Sequence, residues 1–462
     1  MDSQQLARHD FSQNSYAVQA TNGSGSDSSA LAPPVIPPYN PAPTRQSGFP
    51  MFHDGDVLIV SPTGKQWKLH SLILAQASPV LNKILATAEP AHLTKKDRDA
   101  GKTIFFKLEM IDDPKFKGVD PEGLRYKSFR SVGVSSRILT LPPNINGLGD
   151  KVGYNKIYDN FFRCMYNLKP EVQLDDDPLA RCYIIDCTGL LQAAEFLGAI
   201  PVIRVVVEAH LLRLNQVLWH HISEKAENWI HIAAKLHSPL MFRECMIHLV
   251  GKYHLKDGIN EDILRHPQHG DLGQQIWGLI ELKAKELKDK KLHVERQLME
   301  FYPYRMCHKE DATTVPGRAI YANDIYLWQS LSLCRQYFSS AFCANLHHRA
   351  SDGGLAFYRT IGAADASYLR TVTLERFHTS FDMSAKGKVC LAAALETIKA
   401  DLKPVVKDLL IDRSQATRTP DTPLFDHFTC TEVLDEELPW YEPPAQYKDE
   451  DLNMLGGENS GS

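Results

Sequence analysis

The period of apolar and polar positions changes several times along the chain, and each change marks an element. Asp56–Val60 (DVLIV) is a short β-branched run of the kind a buried strand needs. Ser61-Pro62-Thr63-Gly64 has turn chemistry, and Gln66–Leu69 (QWKL) alternates as the return strand of a hairpin. His70–Ala75 (HSLILA) and Pro79–Leu85 (PVLNKIL) then predict two short helices, with Ser78 as N-cap and Pro79 at the first helical position. The aliphatics Leu69, Leu72, Ile73, Leu74, Val80 and Leu81 are the expected core of this unit. Ile104–Met110 is a third strand candidate, and Arg137–Leu141 is expected to add an edge strand.

Beyond residue 156 the period becomes helical. Ile157–Tyr166 places Ile157, Phe161, Phe162 and Met165 on one face, and Thr188–Ala199 turns Leu190, Leu191, Ala194 and Leu197 inward. Ile200–Leu214 follows, with Pro201 in its first turn. From Gln216 to Tyr253, Trp229, Ile232, Ala233 and Leu236 share a face that Leu240, Cys245 and Leu249 continue. In Ile276–Phe301, Ile280, Leu287, Val294 and Phe301 recur every seven residues, but Lys283 and Lys291 interrupt the complementary positions. A helix packed on a bundle is therefore expected, not a coiled coil. Residues 325–347 and 389–410 supply two further helices, the second with a kink expected at Pro404.

The order of these elements resembles the BTB/POZ domain. The residues that carry the resemblance are His53-Asp54-Gly55-Asp56-Val57, the stretch Lys68–Leu81 with its His70, short helix and Ser78-Pro79 step, Phe161–Tyr166, and Leu190–Ala199. Asp56, His70, Leu72, Ser78, Pro79, Phe161, Leu191 and Ala194 are the fold-signature positions. Ala226–Cys245 is similar to the helical BACK extension that follows such domains. The resemblance implies an α+β fold, with a small mixed sheet and flanking helices followed by a mostly α-helical C-terminal region. It assigns residues 51–214 to the domain, with a long insertion at 111–156, and 215–300 to the BACK-like extension. Residues 301–414 form a helical region of unassigned type.

The implied function is a protein–protein interaction scaffold or adaptor, a substrate adaptor of cullin-type ubiquitin ligases included. The alternatives are a nuclear transcription or chromatin assembly factor, or a metal-binding helical domain in residues 300–414. Protein partners, a cullin among them, are expected. A homodimer would form without the N-terminal swapped helix of many family members, because Gly48-Phe49-Pro50-Met51 cannot make that helix.

Composition narrows the function classes. With 43% hydrophobic and 23% charged residues the chain has an ordinary globular balance, and its net charge of −5 leaves no basic surplus for a phosphate backbone, so no direct nucleic-acid contact is expected. No apolar stretch of membrane-spanning length occurs, and the first twenty residues lack the apolar core of a secretory signal. Nine dispersed cysteines fit reduced thiols, hence a cytoplasmic or nuclear setting. Residues 1–50 are rich in Pro, Ser and Gly and 415–462 form an acidic tail, and both are expected to be disordered. Thr419-Pro420 and Thr422-Pro423 in that tail are candidate proline-directed phosphorylation sites beside acidic residues.

The search for chemistry yields little. No phosphate loop, GxSxG, HExxH or CxxC pattern occurs, and Asp112-Asp113 and Asp175-Asp176-Asp177 sit beside prolines as loop-solvating groups. The best metal arrangement is Cys343-x-x-x-His347-His348, with Cys334 and Cys307-His308 upstream, but structural zinc sites pair their ligands at loop spacing. These residues are therefore read as packing groups near Phe338 and Phe342. No catalytic residue, cofactor or metal ligand is assigned, and no enzymatic activity is expected.

Overall fold

The computed structural model describes residues 49–61, 65–90, 93–99, 101, 103–112, 127–131, 151–171, 181–256, 258–307, 318–417 and 425–443. Residues 1–48, Arg137–Leu141, the Asp175–Asp177 run, both Thr-Pro sites and the chain after 443 lie outside them.

The hairpin forms as its alternation requires. β1 (Val57–Val60) pairs antiparallel with β2 (Gln66–Leu69), and their inward residues Val57, Ile59, Trp67 and Leu69 are fully buried. β3 (Phe106–Asp112) lies parallel to β1, and β4 (Lys127–Ser131) closes the sheet antiparallel to β3, giving the order β2-β1-β3-β4. Among the described residues Lys127–Ser131 forms the edge strand beside β3; the Arg137–Leu141 expectation lies outside them.

α1 (Ser71–Ala77) and α2 (Pro79–Thr87) follow the hairpin, and the Ser78 hydroxyl accepts the Leu81 amide at 3.1 Å while donating to the Leu197 carbonyl at 2.6 Å. One side chain therefore caps a helix and ties it to a segment 119 residues away. Leu72 departs from expectation: it is 67% exposed, because in a helix this short Leu74 and Ala77 take the inward face.

A short helix α3 (Lys95–Asp99) precedes β3. The helical layer then runs through α4 (Lys151–Met165), α5 (Arg181–Phe196), α6 (Ile200–Leu212), α7 (Gln216–Glu224), α8 (Ala226–Leu236), α9 (Pro239–Lys252) and α10 (Glu261–Leu264) to the 31-residue α11 (Gly270–Glu300). The inward sets expected for α4, α5 and α8 are all buried. Leu240 is exposed, because Pro239 at the helix start turns Met241 and Phe242 into the core instead. The architecture is α+β and mostly helical, with the small mixed sheet near the N-terminal end.

The last four long elements are α13 (Arg318–Cys343), α14 (Leu355–Ala363), α15 (Thr371–Ser380) and α16 (Ala385–Val406), with the single-turn α12 (Tyr304–Cys307) before them. Pro404 lies in the final turn of α16. Part of the segment expected to be a disordered tail is packed: Phe428, Cys430, Val433 and Leu438 are buried, and Trp440 meets Phe242 edge-to-face. The strap buries every residue from His427 to Thr431 and then Val433, a continuous burial that its acidic composition obscures.

Two features of this layer have measurable consequences. A Cβ on Gly251 of α9 would stand 2.2 Å from the Phe428 carbonyl oxygen, so only glycine lets the strap cross α9. Gly251→Ala should lower stability by about 2 kcal/mol or more and expose the strap to proteolysis; a melting temperature equal to wild type would refute this. The rings of His231 (α8) and His269 stack 3.5 Å apart, and burial holds them at about 3 and about 4, well below 6.5. Below 6.5 the unfolded chain binds protons that the folded pair refuses. The pair's contribution is therefore complete above that value and is lost as pH falls toward 4. The drop in melting temperature between pH 7 and pH 5 should shrink in His231→Phe, which keeps the ring and removes the titration; an unchanged drop would exclude the pair as its source.

Candidate functional site

The signature positions near the N-terminal end assemble into a folding junction. Asp56 Oδ1 accepts the Ser71 amide at 2.6 Å and its Oδ2 the Ser71 hydroxyl at 2.5 Å, so it starts α1. His70 receives Tyr166 on two sides: its amide donates to the phenol oxygen at 2.7 Å and its Nδ1 lies 3.0 Å from it, while Nε2 faces Asp54 at 3.2 Å. Trp67 packs on Phe162 with ring centroids 5.4 Å apart and donates Nε1–H to Asp159 at 2.9 Å. Phe161, Leu191 and Ala194 are buried beneath, and Pro79 lies at the Gly198 turn. Each of these groups is satisfied by a neighbour, and the junction's chemistry ends in holding the hairpin against α4.

A second polar cluster lies where the strap crosses α9. Glu244 Oε1 accepts the Ser414 hydroxyl at 2.6 Å and lies 3.1 Å from His248 Nε2, and its Oε2 accepts the Gln415 amide at 2.8 Å. His248 Nδ1 and His427 Nε2 are 2.8 Å apart, and His427 Nδ1 meets Asp426 at 2.7 Å. The carboxylate stands between serine and histidine, so the imidazole cannot take the serine proton, and the cluster works as a clasp for Ser414-Gln415 and Asp426-His427.

The helices after residue 300 combine a consumed face with an open one. Leu327, Leu331, Cys334, Phe338 and Ala341 line the inward side of α13 at steps of three and four, and buried Ser330 donates to the Leu391 carbonyl of α16 at 3.0 Å. α16 answers with Leu391, Leu395, Ile398 and Leu402. On the outward side Ile325 and Trp328 are exposed, Trp328 by 50%, and Tyr302 meets the indole edge-to-face at 6.1 Å. The Arg335 guanidinium lies over the Tyr302 ring at 4.5 Å and donates to the Phe301 carbonyl at 3.3 Å, with no acidic partner among the described residues. Tyr, Trp and Arg are the side chains that most often anchor protein interfaces, so this face has the makings of a docking surface.

Between α11 and α14 a third group of polar side chains converges. Glu295 Oε1 accepts from Tyr358 Oη at 2.7 Å and from the His348 amide at 3.0 Å, while His348 Nδ1 lies 2.8 Å from Oε2. The His347 ring borders the same carboxylate, so three donor atoms lie within 4.8 Å of one another. Sequence reading named His347 and His348 but joined them to Cys343, which is exposed and takes no part. Glu295, Tyr358, Tyr302 and Trp328 were missed. The signal for Glu295 was an acid beside Val294 on the heptad stripe; nothing in the local pattern marked Tyr358.

In comparison with known families, the FF domain matches residues 303–408, from the turn before α12 to the end of α16, which is less than a quarter of the chain. No curated protein and no solved structure matches the chain. No BTB/POZ family match is found, which overturns that resemblance and, with it, the BACK-like extension, the ubiquitin-ligase adaptor and the cullin partner. The residues behind the resemblance do fold as a hairpin leading into a helix pair. Alternation, an aspartate cap and a Ser-Pro helix start are what any such junction requires, so they fix local structure without identifying a family.

Proposed function

We propose that the chain is a non-catalytic protein-interaction scaffold whose helices at 303–408 form an FF-like docking module. The reading rests on the FF-domain match, since FF domains are protein-interaction modules, and on the Tyr302–Trp328–Arg335 surface at that module's edge. The occupant is a partner segment carrying an apolar anchor for Trp328 and Ile325 and a flanking acidic group for Arg335, whose cation has no acidic counterpart among the described residues. Such modules serve in transcription- and splicing-related assemblies, which favours the nuclear alternative over the cytoplasmic one.

Replacing Trp328 by alanine removes an exposed side chain and leaves the inward face of α13 intact. Loss of an interface anchor costs about 2 kcal/mol or more, roughly a thirtyfold weakening. The full chain and its Trp328→Ala variant, matched in melting temperature, should differ by at least that factor in binding to partners recovered with the wild-type chain. Equal binding by both would sink the docking surface. A fluorescent fusion of the full chain should concentrate in the nucleus, and exclusion from it would remove the nuclear setting.

A further inference from the structure

We propose that Glu295, His347 and His348 form a binding site for one divalent transition-metal ion, zinc being the best match. The site is distinct from the docking surface and independent of it. Two imidazoles and one carboxylate make up the donor set that zinc accepts in open, three-ligand sites, where a water fills the fourth position. Imidazole ligands also select for this part of the first transition row over magnesium or calcium.

The carboxylate is set for the purpose. Tyr358 Oη and the His348 amide both donate to Oε1, at 2.7 and 3.0 Å, which fixes the plane of the carboxylate. His348 Nδ1 lies 2.8 Å from Oε2 and 2.9 Å from Oε1, and Oε2 has no other partner among these groups. Donors around a tetrahedral ion with ligand distances of about 2.0–2.1 Å stand roughly 3.3 Å apart. Exchanging the shared proton for a metal therefore asks these two groups to separate by only about half an ångström. Tyr358 has the place of an outer partner that orients a ligating carboxylate.

A second observation points to a ligand. His347 is more than nine-tenths buried, and its Nδ1 has no hydrogen-bond partner although it is shielded from solvent. A buried polar nitrogen left unpaired is costly, and coordination through Nδ1 would give it the partner it lacks. The charged groups nearby are Arg349, Asp352 and Lys291, whose own ammonium is pushed down to about 8 by burial. His348 is partly exposed and opens the site to solvent.

The backbone holding the two histidines is rigid for a reason seen in Gly354. Its φ is +88°, and a Cβ there would come within 2.7 Å of the His347 carbonyl group and 2.9 Å of the Tyr358 ring. Asp352 secures the same loop by accepting the amides of Gly354 at 2.9 Å and Ala356 at 2.8 Å. The loop therefore presents both imidazoles to α11 without needing the metal to fold it.

The test uses the untagged full chain, stripped with chelator and titrated with zinc in competition with a chromophoric chelator. One zinc ion per chain is expected at micromolar affinity or tighter, with a rise in melting temperature on binding. His347→Gln and His348→Gln should each weaken binding by at least about tenfold, and Tyr358→Phe by about tenfold, while Cys343→Ser leaves it unchanged. Cobalt(II) bound to the wild-type chain should give visible bands of tetrahedral coordination without thiolate charge transfer, a readout that survives failure of a variant to fold. Absence of stoichiometric zinc, retained affinity in both histidine variants, or a thiolate band would each overturn the assignment. Loss of partner binding in Trp328→Ala with zinc binding intact would separate this site from the docking surface.

Discussion

Burying a charge is tolerable only when a partner replaces the water it loses, and α11 buries three ionisable side chains on one helix. Lys283, Lys291 and Glu295 are each less than a tenth exposed. Each is answered by a segment far along the chain: Lys283 pairs with Glu437 at 2.6 Å, Lys291 stands 4.1 Å from the centre of the Phe428 ring, and Glu295 takes Tyr358 and His348. Without the strap, Lys283 would keep only Glu286 of its own helix and Lys291 would lose the Phe428 ring; without the 344–354 loop, Glu295 would lose His348 and keep Tyr358. The C-terminal third is thus held on α11 by necessity of charge as well as by apolar contact.

This arrangement explains why the lysines resisted interpretation from sequence. At the heptad positions of α11 a lysine reads as a surface residue, and the bundle reading was correct only because it declined a coiled coil. The groups that bury them lie 137 and 154 residues later, in a segment whose composition suggests a solvated tail. Local features were legible where their cause was local. The hairpin, the Ser78 cap, the inward faces of α4, α5 and α8 and the burial of most cysteines follow from period and capping chemistry. Leu72 and Leu240 failed because each sits next to a helix start, where one residue of phase decides which neighbour turns inward.

The family assignment failed for a related reason. Its evidence came from a stretch whose residues are explained by the junction they build: Asp56 starts α1, His70 meets Tyr166, Ser78 binds Leu197, and Trp67 covers Phe162. Once each residue has a complete structural account, nothing is left over to specify ancestry or partner. The region that does match a family, 303–408, carries no short motif. Its signal is distributed over the inward faces of several helices, which a motif search passes by.

The same distribution determines which face of the module is available. Tyr358 reaches back to Glu295, Arg359 donates to the Phe425 carbonyl at 3.0 Å, and Lys290 of α11 donates to the Asp408 carbonyl at 3.1 Å. The inner surface of 303–408 is therefore spent on α11 and the strap. Tyr302 and Trp328 lie on the side left open, while the Glu295 cluster lies on the side turned to α11. Changes at the cluster can alter how firmly the module sits without touching the residues that would meet a partner. Through Tyr358 and His348 answering the buried Glu295 of α11, the helices of 303–408 are held in a fixed orientation against that helix.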